Sequence, residues 1–592
     1  MTKKLMSGNE AVARGAFEAC CRVAAAYPGT PSTEILENIS QYAEINSRWT
    51  TNEKVALEVA SGASIGGIRA LAAMKHVGLN VAADPLLTMG YIGALGGLVI
   101  VSADDPGCYS SQNEQDNRLY APLAKVLMLE PSDSQECLEF TKEAFALSER
   151  FDTPVLLRLT TRICHSKSMV AEGTREEIPP IKYERNPAKN AMLPAHSRPR
   201  HVVVEQRMRD IEQYGNHCPY NRIERGSDKS IGIITSGVSY LYAKELFGDK
   251  AAFLKLGLTN PLPHDLIDSF ARSVDKIYVI EEGEPYLETA VKALGHTCHG
   301  KDMLPITGEL SLHTLREAFF PSTSPEGCEA IAVPGRPPVL CAGCPHRGFF
   351  HMIGKKKKKI LSCGDIGCYT LGIQQPLNGM DTVVCMGGGF SIALGMAEAM
   401  KAAGDTRKIF GVVGDSTFFH SGMTGMVDAI HSNANVCFCV LDNSITAMTG
   451  HQENAGTVVD VQGQPATKVD IQSVIEGMGV PRSKITVVDP LDMKAVGEAL
   501  DEAIATEGFS VIITKRPCVL IRSLRKSIVK APYSVNIEKC KKCKTCLSVG
   551  CPAISMHAEG YSQIDATACI GCGYCMQVCP FGVITRDEEI AQ

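Results

Sequence analysis

Two cysteine runs near the carboxyl terminus leave that part of the chain few ways to fold. Cys540, Cys543 and Cys546 form C-x2-C-x2-C, with Cys551-Pro552 after four further residues; Cys569, Cys572 and Cys575 repeat the spacing, with Cys579-Pro580 after three. Thiolates so spaced hold a 4Fe-4S cube by three ligands, while the fourth Cys of each run serves the other cube. The expected sets are Cys540, Cys543, Cys546 and Cys579 for one cluster, and Cys551, Cys569, Cys572 and Cys575 for the other. Zinc also takes four thiolates, but two interleaved runs each closed by Cys-Pro favour cubes. Residues 530–592 are too few and too cysteine-dense for an apolar core, so metal must hold them together.

Clusters of this kind need a source of low-potential electrons, and most of the 592 residues lie upstream of them. There, apolar β-branched runs alternate with helical patterns: "LVIVSADD", "VLLRLTT", "SIGIITSG", "KIYVIEEG", "DTVVCMGGG", "IFGVVGDS", "VCFCVLDN" and "VIITKRPC". Strands apolar on both faces and separated by helices predict doubly wound parallel sheets. We expect α/β units over 1–181, 229–320 and 335–529, with the polar stretch 182–228 as a linker and a second linker in "FFPSTSPEGCEAIAVPGRPPV".

Pro85 to Ala103 is 19 residues without a charge, but its four glycines and strand-like end predict helix, turn and buried strand rather than a membrane span. A net charge of -6 gives no reason to expect a nucleic-acid partner. The 24 cysteines, with an amino terminus lacking the apolar core of a signal peptide, predict reduced thiols and a cytoplasmic location.

A phosphate and metal site is predicted in the third unit. Gly414-Asp415-Ser416 follows the strand "KIFGVV", and Asp442-Asn443 follows "VCFCVL"; Gly414 to Asn443 spans 30 residues, about one strand-helix-strand unit. Asp415 and Asn443 should therefore stand at the carboxyl ends of neighbouring parallel strands, where a carboxylate and an amide oxygen can hold Mg2+. Upstream, Gly387, Gly388 and Gly389 fall between a strand and a helix, where backbone N–H groups can face a phosphate, a turn that a dinucleotide fold explains as well.

These motifs carry resemblances. The cysteine-rich segment resembles a bacterial-type 2[4Fe-4S] ferredoxin domain, with one extra residue before Cys551. The Gly-Asp to Asn pair is similar to the thiamine diphosphate signature, which implies Mg2+ on Asp415, Asn443 and the carbonyl of Ile445; Ser416 stands where Gly is commoner. Such enzymes take the aminopyrimidine on another α/β domain, which must offer N1' a carboxylate. In "NEKVALEVASGASIGGIRA" the resemblance puts Glu58 in that role, with Glu53 as the other choice.

"AYPGTPSTEI", "SSQNEQDNR", "CAGCPHRGFFH", "GDSTFFHSG" and "LDNSITAMTGHQ", in a chain ordered as pyrimidine-type domain, transketolase-C-like domain, diphosphate domain and ferredoxin domain, resemble the large subunits of 2-oxoacid:ferredoxin oxidoreductases. In that family the Thr of the first motif, here Thr30, lies against the substrate carboxylate. The domain order resembles the branch acting on arylpyruvates such as indolepyruvate and phenylpyruvate. It implies oxidative decarboxylation to an aryl-acetyl-CoA, coenzyme A as acyl acceptor, external ferredoxin as electron acceptor, and a small second subunit in a dimer of such pairs. A non-oxidative thiamine-dependent decarboxylase or lyase and a non-catalytic electron-transfer subunit are the alternatives. Relatives also hold a cluster near the thiazolium, which implies Cys341, Cys344, Cys368 and Cys518 as ligands of a third, with Cys363 a substitute for Cys368. Gly29, where relatives carry a bulkier residue, would leave room for an aryl ring.

Four further features stay open between function and structure. His346, His420 and His451 are either proton and substrate handlers or hydrogen-bonded core histidines. Lys355 to Lys359 is either a solvated turn or an attractor of coenzyme A phosphates or an acidic ferredoxin.

Overall fold

The computed structural model describes residues 3–321, 335 and 337–586. The chain divides into two compact units, the first taking residues 1–332 with 461–463 and the second 333–460 and 464–592.

The first unit holds two α/β sheets. One has seven strands in the order Leu258–Asn260, Leu127–Leu129, Val155–Thr160, Leu98–Asp104, Ala70–Lys75, Val23–Ala26 and Asn46–Trp49, all parallel except the first. Its central strands are buried along their whole length, which is why they read as unbroken apolar runs. The other sheet has five strands, with Gly232–Ser236, Ala252–Leu256, Ile277–Ile280 and Cys298–His299 parallel and Arg222–Glu224 antiparallel at one edge. The uncharged stretch from Pro85 becomes the helix Ala83–Ile92, a turn and the strand Leu98–Asp104, as its glycines predict. Among the described residues no helix is long and apolar enough to cross a membrane.

Residues 182–228 are not the linker their polarity suggested. Pro194–Gly215 is a 22-residue helix, and Arg222–Glu224 is the edge strand just described. The helix buries Val204, Arg207, Ile211 and Gly215, a stripe at helical spacing that an arginine hides from a hydropathy reading. Arg207 is 5% exposed and donates to the carbonyl of Asp152 at 2.6 Å. The other expected linker lies largely outside the described residues.

The second unit centres on six parallel strands in the order Thr382–Val383, Ile360–Gly364, Lys408–Gly414, Val436–Asp442, Ser510–Lys515 and Ile485–Val488. The cysteine-rich segment has two short antiparallel pairs, Ser534–Val535 with Ile584–Thr585 and Ile554–Met556 with Ser562–Ile564. It is seated on the six-stranded domain. Tyr574, fully buried, donates to the carbonyl of Pro345 at 3.2 Å, and Gln577 Nε2 donates to that of Leu491 at 2.8 Å. The seam's apolar cluster joins Met493 to Tyr533, Val549, Tyr574 and Ile584.

Candidate active site and electron-transfer cysteines

Register sets the metal loop. Gly414 pairs with Leu441, so Asp415 and Asp442-Asn443 leave the sheet side by side at the carboxyl ends of neighbouring strands. Ile445 N–H then donates to Asp415 Oδ2 at 3.1 Å, and Ser416 N–H to Asp415 Oδ1 at 2.8 Å. The side-chain oxygen of Asn443 faces the carbonyl oxygen of Ile445 at 2.9 Å and Asp415 Oδ1 at 3.1 Å. Oxygens that close repel one another unless the amide turns over to donate to both or a cation lies among them, so this donor set fits a hard divalent ion. Burial, then the neighbouring charge of Asp442, pushes Asp415 up to about 8, a further sign that a cation is wanted there.

The glycine turn is built for close approach. Gly387 has φ of +74°, open to glycine, and a Cβ there would lie 1.9 Å from Ser421 Oγ. A Cβ on Gly389 would lie 2.4 Å from the carbonyl of Val412, so that glycine lets the helix Gly388–Ala402 press onto the strand Lys408–Gly414. Gly387 N–H donates to Asp365 Oδ2 at 2.6 Å, and the Tyr369 hydroxyl donates to Asp365 Oδ1. Asp365 was missed as a site residue although it sits in the "GDIGCY" stretch that drew attention to Cys368; burial pushes it up to about 8. It pins the turn whose N–H groups would meet a diphosphate.

Four cysteines gather beside this loop. Cys344 lies within electrostatic reach of Cys341 and Cys368, and Cys368 and Cys518 each of Cys341; Cys368 and Cys518 also feel Asp415. The N–H of Cys518 donates to the carbonyl of Asn443 at 2.9 Å, tying this group to the metal loop. Burial pushes the thiols of Cys344, Cys368 and Cys518 up, so they stay protonated unless a cation binds them. Cys363 is elsewhere: it is buried in the strand Ile360–Gly364 and meets Thr382 and Asp381, so it does not replace Cys368.

The eight carboxyl-terminal cysteines divide between two cavities. Cys540, Cys543, Cys546 and Cys579 line one, and Cys551, Cys569, Cys572 and Cys575 line the other. The four cysteines lining each cavity are those the spacing assigns to one cube. Ala342 and Gly343, inside C-A-G-C, wall the second cavity, and a Cβ on Gly343 would strike the side chain of Ile570 at 2.1 Å. The Cys341–Cys344 loop thus touches the ferredoxin-domain cavity and carries two of the four cysteines beside the metal loop. Arg347, 1% exposed, spans the same seam, donating to the carbonyls of Val549 at 2.8 Å and Cys341 at 2.9 Å.

In the first unit the two candidate carboxylates lie on one helix with different exposure. Glu58 is on the outer face of the helix Glu53–Ile65, its side chain 45% exposed and paired with Lys54. Glu53 is 5% exposed at the start of that helix, against Gly78, where a Cβ would lie 2.7 Å from it. Small residues follow Glu58 (Val59-Ala60-Ser61-Gly62) and not Glu53, whose next residue is Lys54; Asn52 caps the helix by accepting from Val55 N–H at 2.9 Å. Thr30 precedes a cis peptide to Pro31 and accepts from Ser110 Oγ on its carbonyl at 3.2 Å. Gly29 does not open onto free space: a Cβ there would meet the Lys75 stem at 3.0 Å. Lys75, missed by sequence reasoning, donates to the Ser110 carbonyl at 2.9 Å, and burial pushes its ammonium down to about 8 against the pull of Asp105 and Glu53. No motif marks it; it follows the apolar strand "ALAAM".

His346 is buried, which pushes its pKa down to about 4, and stands edge-on to Tyr369 at 5.8 Å. His420 is buried beside Ser421 Oγ at 2.9 Å. His451, at φ +72°, has a buried Nε2 with no partner. Lys355 ends the helix His346–Lys355 and Lys356 to Lys359 form the turn after it, with Lys356 paired to Asp501 and Lys357 to Asp381.

The comparisons with known proteins agree with this architecture. Residues 14–225 match the thiamine-diphosphate-binding domain of pyruvate flavodoxin/ferredoxin oxidoreductases, 365–514 the carboxyl-terminal binding domain of thiamine pyrophosphate enzymes, and 562–585 a 4Fe-4S binding domain. The fold is that of a 2-oxoacid:ferredoxin oxidoreductase, with thiamine-diphosphate-binding and 4Fe-4S domains in one chain. Indolepyruvate oxidoreductase subunit IorA of Pyrococcus horikoshii is 40% identical over 99% of this chain and 97% of its own length, and that of Thermococcus kodakarensis 41% over 99% and 97%. The 2-oxoglutarate synthase subunit KorA of Archaeoglobus fulgidus is 26% identical over 48% of this chain and 88% of its own. The chain belongs to the indolepyruvate oxidoreductase large-subunit family, and it is an oxidoreductase.

Proposed function

We propose that this chain is the thiamine-bearing subunit of an enzyme that oxidatively decarboxylates arylpyruvates. The balance is R-CO-COO- + CoA-SH giving R-CO-S-CoA, CO2, H+ and two electrons, with the electrons passed singly to external ferredoxin. Thiamine diphosphate, when bound, supplies the carbanion chemistry that releases CO2, and 4Fe-4S clusters supply one-electron acceptors. The chain's own residues do the rest. Asp415, Asn443 and the Ile445 carbonyl hold Mg2+; Gly387, Gly388 and Gly389, pinned by Asp365, and the Gly414-Asp415-Ser416 turn receive the diphosphate. Glu53, rather than Glu58, holds the proton at N1', a role suited to a buried carboxylate. Thr30 and the Lys75 ammonium receive the substrate carboxylate.

Cys341, Cys344, Cys368 and Cys518 hold a cluster next to the metal loop, and the two ferredoxin-type clusters follow it outward. The observation that carries the reading is the hydrogen bond from Cys518 N–H to the carbonyl of Asn443, because it makes the metal loop and the cysteine group one construction. The complete enzyme includes a small second subunit, in a dimer of such pairs, in the cytoplasm. The test is anaerobic viologen reduction by the reconstituted complex with indolepyruvate, phenylpyruvate and pyruvate, with and without coenzyme A. Coenzyme-dependent reduction with the aryl acids supports the reading; aldehyde release without reduction favours the non-oxidative decarboxylase.

A further inference from the structure

Electrons that reach the last cavity must leave the protein, and the surface there differs from the rest of the chain. Of the eight carboxyl-terminal cysteines, Cys543 alone is exposed. The cavity it lines is also bounded by Lys541, Pro580 and Phe581, whereas the inner cavity is walled by Ala342 and Gly343 of the neighbouring domain. The outer cavity is therefore the terminal one.

Around it the sequence "NIEKCKKCKTC", residues 536–546, carries Lys539, Lys541, Lys542 and Lys544 against Glu538, a local charge of +3 in a chain whose net charge is -6. All four lysines are exposed. Lys541 lines the cavity itself, and Lys539, Lys542 and Lys544 alternate along the chain with three of its ligand cysteines. Lys542 and Lys544 hold left-handed backbone at φ +56° and +62°, and the Lys542 amine donates to the carbonyl of Glu559 at 2.8 Å. Ile537 and Phe581 add apolar surface, 53% and 50% exposed. A basic collar about an apolar centre suits a negatively charged protein, because opposite potentials steer the encounter while apolar contact holds it.

We propose that Lys539, Lys541, Lys542 and Lys544, with Ile537 and Phe581, form the docking surface for a small acidic electron-carrier protein that takes electrons from the cluster held by Cys540, Cys543, Cys546 and Cys579. The proposal rests on the relay described above, so its test separates docking from turnover. In the complete two-subunit enzyme, Lys539→Glu, Lys542→Glu and Lys544→Glu are combined, leaving Lys541 in the cavity wall. Electron transfer is measured to a purified ferredoxin of net negative charge and, in parallel, to methyl viologen, a small cation that needs no basic collar. Ferredoxin binding is measured by calorimetry, and Lys494→Glu, on the helix Met493–Ala505, is the control.

The expected result is a rise of about tenfold or more in ferredoxin KM and in its calorimetric Kd at low salt, with a flattened salt dependence as collar charge is lost. Viologen reduction and iron content stay within twofold of the parent, and the control changes neither. The triple Lys→Gln variant gives a smaller shift in the same direction and stands in if the charge reversal impairs folding. An unchanged ferredoxin Kd overturns the proposal, as does loss of the small subunit on gel filtration, which would make the collar a subunit contact. If the parent enzyme reduces neither acceptor, the failure lies with the relay itself; the calorimetric comparison still decides the docking surface.

Discussion

The carboxylate of Asp415 accepts a hydrogen bond from the backbone N–H of Ile445 at 3.1 Å, joining two loops 30 residues apart in the chain. The same carboxylate, buried and beside Asp442, is pushed up to about 8. Its folded-state value thus lies above that of an unfolded Asp, about 4. The metal-free fold is favoured while Asp415 keeps its proton and loses that contribution as pH rises from about 4 through about 8. Mg2+ needs the ionised form, so it competes better as pH rises. The thermal shift on adding Mg2+ and thiamine diphosphate is expected to be larger at pH 8 than at pH 6, and Asp415→Asn to remove the difference. Equal shifts at both pH values in the parent would contradict the assignment.

Glu53 and Glu58 separate by activity. Glu53→Gln is expected to lower kcat by about 100-fold or more, the scale of a lost general acid–base group, while thiamine diphosphate still binds by calorimetry. Glu58→Gln, which only loosens an exposed pair with Lys54, is expected to stay within twofold. The reverse ranking would restore Glu58.

The cysteine group beside the metal loop is tested by iron. Three cubes give about 12 iron atoms per chain and two give about 8. Cys344→Ala and Cys518→Ala are each expected to remove about four, and Cys363→Ala none. Parent protein with full ferredoxin-domain clusters and about 8 iron atoms would remove the third cluster from the account.

Lys75 bears on pH dependence with the opposite sign. Burial lowers its pKa to about 8, so the ammonium is present below that pH and lost above it. The KM for an arylpyruvate is expected to rise as pH passes 8. Lys75→Met should raise KM by about 10- to 100-fold at pH 7, the worth of a charge-assisted hydrogen bond, and flatten the profile. A Met variant with parental KM and profile would leave Lys75 a packing residue under Gly29.

Much of this architecture is legible in the sequence, because strands apolar on both faces and metal-binding cysteines obey strict spacing. Val436–Asp442 and Lys408–Gly414 are buried from end to end and announce themselves. What the pattern leaves out shares a cause: burial of polar groups by tertiary contacts does not alter local pattern. Arg207 anchors a helix that reads as linker, the exposure of Glu53 and Glu58 is set by the face each presents, and Gly29 packs on Lys75, which is 46 residues away in the chain. Cys518 could be named as a ligand only by resemblance, since its three partners lie at least 150 residues earlier.

The central claim is that electrons released at the thiamine site pass directly into the chain's own clusters. The most direct measurement is electron paramagnetic resonance of the reconstituted two-subunit enzyme, frozen after anaerobic mixing with indolepyruvate and no external acceptor. The account predicts a reduced 4Fe-4S signal in the parent that is absent in Asp415→Ala carrying a full complement of iron. Release of CO2 by the parent with its clusters still oxidised would contradict it.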